Sequence, residues 1–241
     1  MLDLLVLLVG GFVAAREGMR VLSWLPVPWG RRIRAARDVR RAEKWLGAED
    51  PRTLQFRNDL AAAYVDTGSI GRAVVLYEKT LGIAGNLLGP DHPVTFQARQ
   101  GAAYAYAVVD DHARAIPKLE VTLSASERLN GVHHPDTLGF RDDLARMYSS
   151  AGNVQWAIPL YERNLHDREG MNGPDHPDSV RSRRQLADAF RAVGALLRAI
   201  PLLEASHGAL ARVLGPGHPE TVECGNELES ARAALRAGGG P

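Results

Sequence analysis

Apolar residues recur along this chain at helical spacing, and the whole pattern then repeats. Leu60, Ala61 and Tyr64 stand at i, i+1 and i+4, one face of an α-helix, and beyond Gly68 a second set, Ala73, Leu76, Tyr77 and Leu81, marks another. The same columns return every 42 residues. An aromatic column reads Tyr64, Tyr106, Tyr148, Phe190, and a small column reads Ala73, Ala115, Ala157, Ala199, followed by Val74, Ile116, Ile158, Ile200. Polar places repeat with them: Thr53, Thr95, Thr137, Ser179 and Thr221 each precede an apolar residue, Leu54, Phe96, Leu138, Val180 or Val222. Self-similarity at this period predicts an all-α array of antiparallel helix pairs, stacked so that neighbours share one continuous core.

Punctuation places the helix ends. Pro51, Pro93, Pro135, Pro177 and Pro219 follow Asp50, His92, His134, His176 and His218. A proline suits the first helical turn, where its missing N–H would lack a partner anyway, and the preceding Asp or His can cap it. The first helix of each pair, helix A, therefore starts at the proline. Gly68, Gly152 and Gly194 end it where a left-handed residue is wanted, while Asp110 holds that place in the second repeat and predicts a strained or differently built turn. Helix B follows, over Ile70 to Asn86 in the first unit, and Pro117, Pro159 and Pro201 are expected in its first turn. The unit closes on a turn such as Gly89 to Pro93 or Gly173 to Pro177. The expected division is an apolar segment 1–30, a basic amphipathic helix 31–50, four repeats over 51–218, a capping helix 219–236 and a disordered tail 237–241.

Leu144, Ala145, Tyr148, Gly152, Ala157, Leu160, Tyr161, Glu162 and Leu165 spell a pattern that resembles the tetratricopeptide repeat. The long period and the joint Leu88 to Pro93 are similar to the form found in kinesin light chains and in many bacterial repeat proteins, over about residues 51–236. The resemblance implies a right-handed superhelical solenoid whose concave groove, lined by the A helices, binds peptides. Groove positions would then be Gln55 and Asn58 in repeat one, Gln97, Gln100 and Tyr104 in repeat two, Asp142 and Arg146 in repeat three, and Arg181, Arg184, Asp188 and Arg191 in repeat four. In the family such places carry Asn, Lys and Arg that clasp a peptide backbone or terminal carboxylate. Asn58 keeps the asparagine, whereas Gln100, Asp142 and Arg184 replace it, a departure from the family's carboxylate clamp.

Charge and composition narrow the partners. A formal charge of +1 argues against a polyanionic nucleic-acid partner, although 26 of the 29 basic residues are arginine. Cys224 is the single cysteine, so no internal disulfide forms and a cytoplasmic setting is expected. No nucleophile elbow, phosphate-binding loop or His-Glu-x-x-His motif occurs, and neither enzymatic activity, metal nor cofactor is expected. His92, His134, His176 and His218 lie one repeat apart, roughly 10 Å in adjacent helical layers, too far to share a metal. The columns Arg57, Arg99, Arg141, Arg183 and Glu78, Glu120, Glu162, Glu204 predict a ladder of Arg–Glu pairs between helices.

The first fifty residues leave the repeat. Leu4 to Ala15 is an uncharged, mostly apolar run, followed by Trp24, Trp29 and the arginines 31, 32, 34, 37, 40 and 41. Twelve helical residues span about 18 Å, short of a roughly 30 Å hydrocarbon core, and Met1–Asp3 carries no positive side chain for a secretory signal. Two readings stand: an interfacial anchor on the inner membrane face, with basic residues held to anionic lipid, or an apolar segment packed on the open end of the array. Ile33, Ala36, Val39, Ala42, Trp45 and Leu46 recur at helical spacing, so 31–46 reads as the last half of a degenerate unit.

Overall fold

The computed structural model describes residues 27–238, and these hold ten helices and no strand. They are α1 (Val27–Leu46), α2 (Pro51–Asp66), α3 (Ile70–Leu88), α4 (Pro93–Val108), α5 (His112–Leu129), α6 (Pro135–Ser150), α7 (Val154–Asn172), α8 (Pro177–Ala192), α9 (Leu196–Val213) and α10 (Pro219–Gly238). The run Leu4 to Ala15 and Trp24 lie outside the described residues. The final helix continues to Gly238, past the expected end at 236, because Ala233, Ala234 and Leu235 favour helix and nothing stops it before the glycines.

The chain divides into two units, Met1–Asp110 and Asp111–Pro241. Within the first, α1 packs on α2, α2 on α3, α3 on α4, and α2 also meets α4 directly. Within the second, α5 through α10 pack consecutively, each on the next. Ala73, Ala115, Ala157 and Ala199 are wholly buried, since only a methyl group fits where helix B crosses its neighbours.

Every A helix starts at its proline, and the residue before it caps the helix. Asp50 accepts a hydrogen bond from Arg52 N–H at 2.9 Å, and the Nδ1 atoms of His92, His134, His176 and His218 accept from Val94, Asp136, Asp178 and Glu220 at 3.2 to 3.3 Å. The histidines at the joints are thus helix caps. Gly68, Gly152 and Gly194 take φ of 71°, 79° and 74°, and Asp110 is forced into the same left-handed region at 56°. The expectation for Pro117, Pro159 and Pro201 is corrected: each is the sixth residue of its helix, in the second turn. Each proline leaves the carbonyl of residue 113, 155 or 197 without its helical donor. Those residues are exposed, so water can take the donor's place.

Candidate functional site

A column of arginines organises many of the helix contacts. The expected partners of Arg57, Arg141 and Arg183 are corrected, because their carboxylates come from the last turn of the preceding B helix, two turns beyond the Glu120, Glu162 and Glu204 column. Arg57 is bonded to Glu43 at 2.8 Å, Arg141 to Glu127 at 3.1 Å, and Arg183 to Glu169. Three guanidinium groups of the column donate to the joint that precedes their own helix: Arg99 to Pro90 O at 3.1 Å, Arg141 to Val132 O at 3.3 Å and Arg183 to Pro174 O at 3.2 Å. Arg141 and Arg183 therefore hold both the end of the B helix before them and the turn between the two helices. Glu120 instead accepts from the Tyr148 hydroxyl, pushing that phenol's pKa up to about 12, while Glu162 takes Arg198 and Glu204 takes Arg232, both at 2.7 Å.

One polar cluster was not foreseen. Thr80, Thr122 and Ser206 share a B-helix column and bond the carbonyl one turn back, but in α7 the column carries Asn164. Its side chain donates to Leu138 O at 2.8 Å and to Asp142 at 2.6 Å, and accepts from Arg141 at 2.9 Å. Asp167 accepts from Arg141 at 2.7 Å, and Arg168 donates to Asp142 at 2.6 Å and to the Ser182 hydroxyl. Ala125 and Ala209 stand where Asp167 is, and Ser126 and Leu210 where Arg168 is, so the break in the columns was visible in the sequence. Its use was not.

This network bears on the expected groove residues. In the second unit Asp142 is held by Asn164 and Arg168, and Arg184 forms a fork on Glu227 of α10, with Nε–Oε2 at 3.2 Å and Nη2–Oε1 at 2.6 Å, and reaches Glu223 at 3.2 Å. The Glu227 bond raises the Arg184 pKa further. Arg146, Arg181 and Arg191 each pair with an aspartate three residues earlier, Asp143, Asp178 and Asp188. Burial pushes the Asp143 and Asp188 carboxyls up despite these arginines. The arginine face is neutralised by the chain itself.

In the first unit Asn58 is 4% exposed and donates to Val94 O at 3.0 Å, joining α2 to α4. Gln55 donates to Asp59 at 3.2 Å. Gln97, Gln100 and Tyr104 remain on the exposed face of α4, with Tyr104 57% exposed and Val108 one turn beyond, and the three polar side chains make no hydrogen bond to another described residue. The one charged residue of α4, Arg99, is turned inward. Beside this face Gly101 admits the Tyr77 ring, whose Cε1 and Cζ would lie 2.3 Å from any added Cβ. Burial, with Asp59 and Asp66 nearby, pushes the Tyr77 pKa up to about 12.

The tetratricopeptide repeat model matches residues 53–94 and 137–178. Those two stretches match the tetratricopeptide repeat, and the consecutively paired, all-helical fold is the one that tetratricopeptide-repeat proteins share. Among solved structures it is similar to the nearly identical TPR-like repeats of a Podosopora anserina protein assigned to the kinesin light chains, at 28% identity, TM-score 0.70, covering 75% of this chain and 86% of that one. BtubC (BKLC) from P. vanneervenii shares the fold at 16% identity and TM-score 0.62, over 88% and 90% of the two chains. MamA does so at 17% and 0.55, over 80% and 92%. No curated protein matches by sequence. The repeats are of the kinesin-light-chain kind, and tetratricopeptide arrays serve as protein-binding scaffolds. Among the described residues no helix is long and apolar enough to cross a membrane, and no group of three metal-ligating side chains converges.

Proposed function

We propose that this chain is a non-catalytic scaffold that holds a segment of a partner protein against the exposed face of an A helix, with α4 as the contact. The observation that carries the reading is the state of that helix. Gln97, Gln100 and Tyr104 offer amide and phenol groups with no internal partner, in a row at helical spacing that contains no charge. Carboxamides can both donate to and accept from a peptide main chain, and a tyrosine supplies flat apolar area at low entropic cost. The arginines of α8 are poorer candidates, because a ligand carboxylate must first displace Glu227 or Asp188.

The test is selection of peptides from a displayed random library on the immobilised full chain, followed by affinity measurement. Replacing Gln100 and Tyr104 by Ala is expected to weaken the selected peptides at least tenfold. Replacing Arg184 and Arg191 by Ala is expected to change affinity by less than threefold. The opposite ranking would move the site to α8, and peptides indifferent to both pairs would remove it from the A helices.

A further inference from the structure

The sixth position of the A helices reads Phe56, Ala98, Phe140, Ser182 and Cys224. Four are buried, but Phe56 on α2 is left partly exposed. It lines a cleft of about 410 Å³ with Asp38, Arg41, Ala42, Trp45 and Leu46 of α1. Trp45 is 73% exposed and Leu46 37%. Apolar residues also show at the places equivalent to Trp45 in later B helices, Leu87, Leu129, Met171 and Val213, but each of those is 50 to 55% exposed. The end formed by α1 and α2 is thus less covered than its equivalents.

The repeat register shows what is missing there. α1 ends at Leu46, 42 residues before the end of α3 at Leu88, so α1 is a B helix. One period before α2, at positions 9–24, lies the place of its A helix. Helices joined by a short turn run antiparallel, so the first half of that helix would lie against the last half of α1, where the cleft opens. Those positions hold Val9, Gly10, Gly11, Phe12, Val13, Ala14 and Ala15, none charged, and Phe12 falls in the column of Leu54, Phe96 and Leu138. We propose that Val9–Ala15 of this chain fills the cleft between α1 and α2, with Phe12 set against Ala42, Trp45 and Leu46. The connection from 16 to 26 can span about 36 Å when extended. α1, at 20 residues, is about 30 Å long, so the tether reaches. The volume is one that accepts several apolar side chains, and the run is too short to cross a bilayer.

Trp45 can report the contact in the full chain once Trp24, Trp29 and Trp156 are replaced by Phe. Its emission is expected to lie to the blue, with acrylamide quenching several-fold weaker than in the same chain carrying Phe12→Asp and Val13→Asp, while far-UV circular dichroism stays helical in both. Equal quenching in the two chains would overturn the proposal. So would protection that disappears on dilution, the mark of a second copy in the cleft, or protection seen only with phosphatidylglycerol vesicles, the mark of a lipid contact. Hydrogen exchange on the unaltered chain is an independent check: amides of residues 9–15 are expected to be protected, and exchange at the rate of an unstructured peptide would exclude the contact.

Discussion

Gly101 and Tyr77 show how one missing methyl group shapes a surface. Because the Tyr77 ring occupies the space of a Cβ at position 101, Gly101→Ala must displace buried ring atoms 2.3 Å away, and overpacking of this sort costs about 1–3 kcal/mol. Tyr77→Phe should not relieve it, whereas Tyr77→Leu in the same chain should, since Leu119 and Leu203 stand in that column opposite Asp143 and Glu227. Thermal denaturation of the single and double variants measures the coupling, and additive losses would refute the ring contact. Asp188 offers a test with a definite sign. Desolvation by the surrounding chain raises its pKa on folding, weakly because the side chain stays 60% exposed. The native chain therefore binds the proton slightly more tightly, and stability falls a little as pH rises from the unfolded carboxylate range through the raised folded value. Asp188→Asn should consequently melt no lower than the parent at pH 7, with the difference shrinking as pH falls toward the unperturbed 3.8. A clear loss at pH 7 would mean that the Arg191 pair outweighs desolvation. The family's asparagine teaches a related lesson: sequence put Asn58 on a groove, but position alone cannot say whether a polar side chain finds a neighbour's carbonyl first, as it does at Val94.

Among the helices, periodicity made the order and type of every repeat element readable, because proline, a capping side chain and a left-handed residue each impose a local geometry. Pairings between helices were less legible. Arg57, Arg141 and Arg183 have acidic columns at two spacings within reach of a long side chain, and only the packing angle decides that Glu43, Glu127 and Glu169 receive them. The turn at Asp110 supplies a prediction for this scale. A left-handed conformation costs an L-residue roughly 1–2 kcal/mol, less for aspartate, and Gly68, Gly152 and Gly194 avoid it. Asp110→Gly should thus raise stability by about 0.5–1 kcal/mol in chemical denaturation, and a decrease would show that the aspartate side chain holds the turn. The cluster around Arg141 behaves oppositely. Arg141 is wholly buried between Asp167, Asn164 and Glu127, and Arg141→Ala strands the buried Asp167, a loss expected at about 3–5 kcal/mol. A loss under 1 kcal/mol would mean that water or His133, whose Nδ1 lies 3.6 Å from Asp167, takes over the carboxylate.

For the molecule as a whole, the distribution of charge matters more than its sum. Twenty-nine basic and 28 acidic residues leave a formal charge of +1, so there is little net repulsion for salt to relieve. Arginines instead tie helix to helix. Some of these pairs are exposed on both sides, as Arg212–Asp175, Arg198–Glu162 and Arg232–Glu204 are; others, such as Arg141–Asp167 and Arg168–Asp142, are enclosed. Exposed pairs are worth under about 1 kcal/mol each and are screened by salt, whereas enclosed pairs are screened much less. Raising sodium chloride from about 0.05 to 0.5 M, where the screening length falls well below 10 Å, should accordingly lower the melting temperature by only a few degrees. An increase in melting temperature would mean that unpaired arginines repel one another and that the pairs joining helices do not form in solution. The same titration bears on the partner. Since the exposed face of α4 carries no charge, peptides selected on the chain should keep their affinity within about threefold across that range. A fall of tenfold or more would show that binding uses the arginines of α8 after all, with Glu227 released from Arg184 whenever a ligand carboxylate arrives.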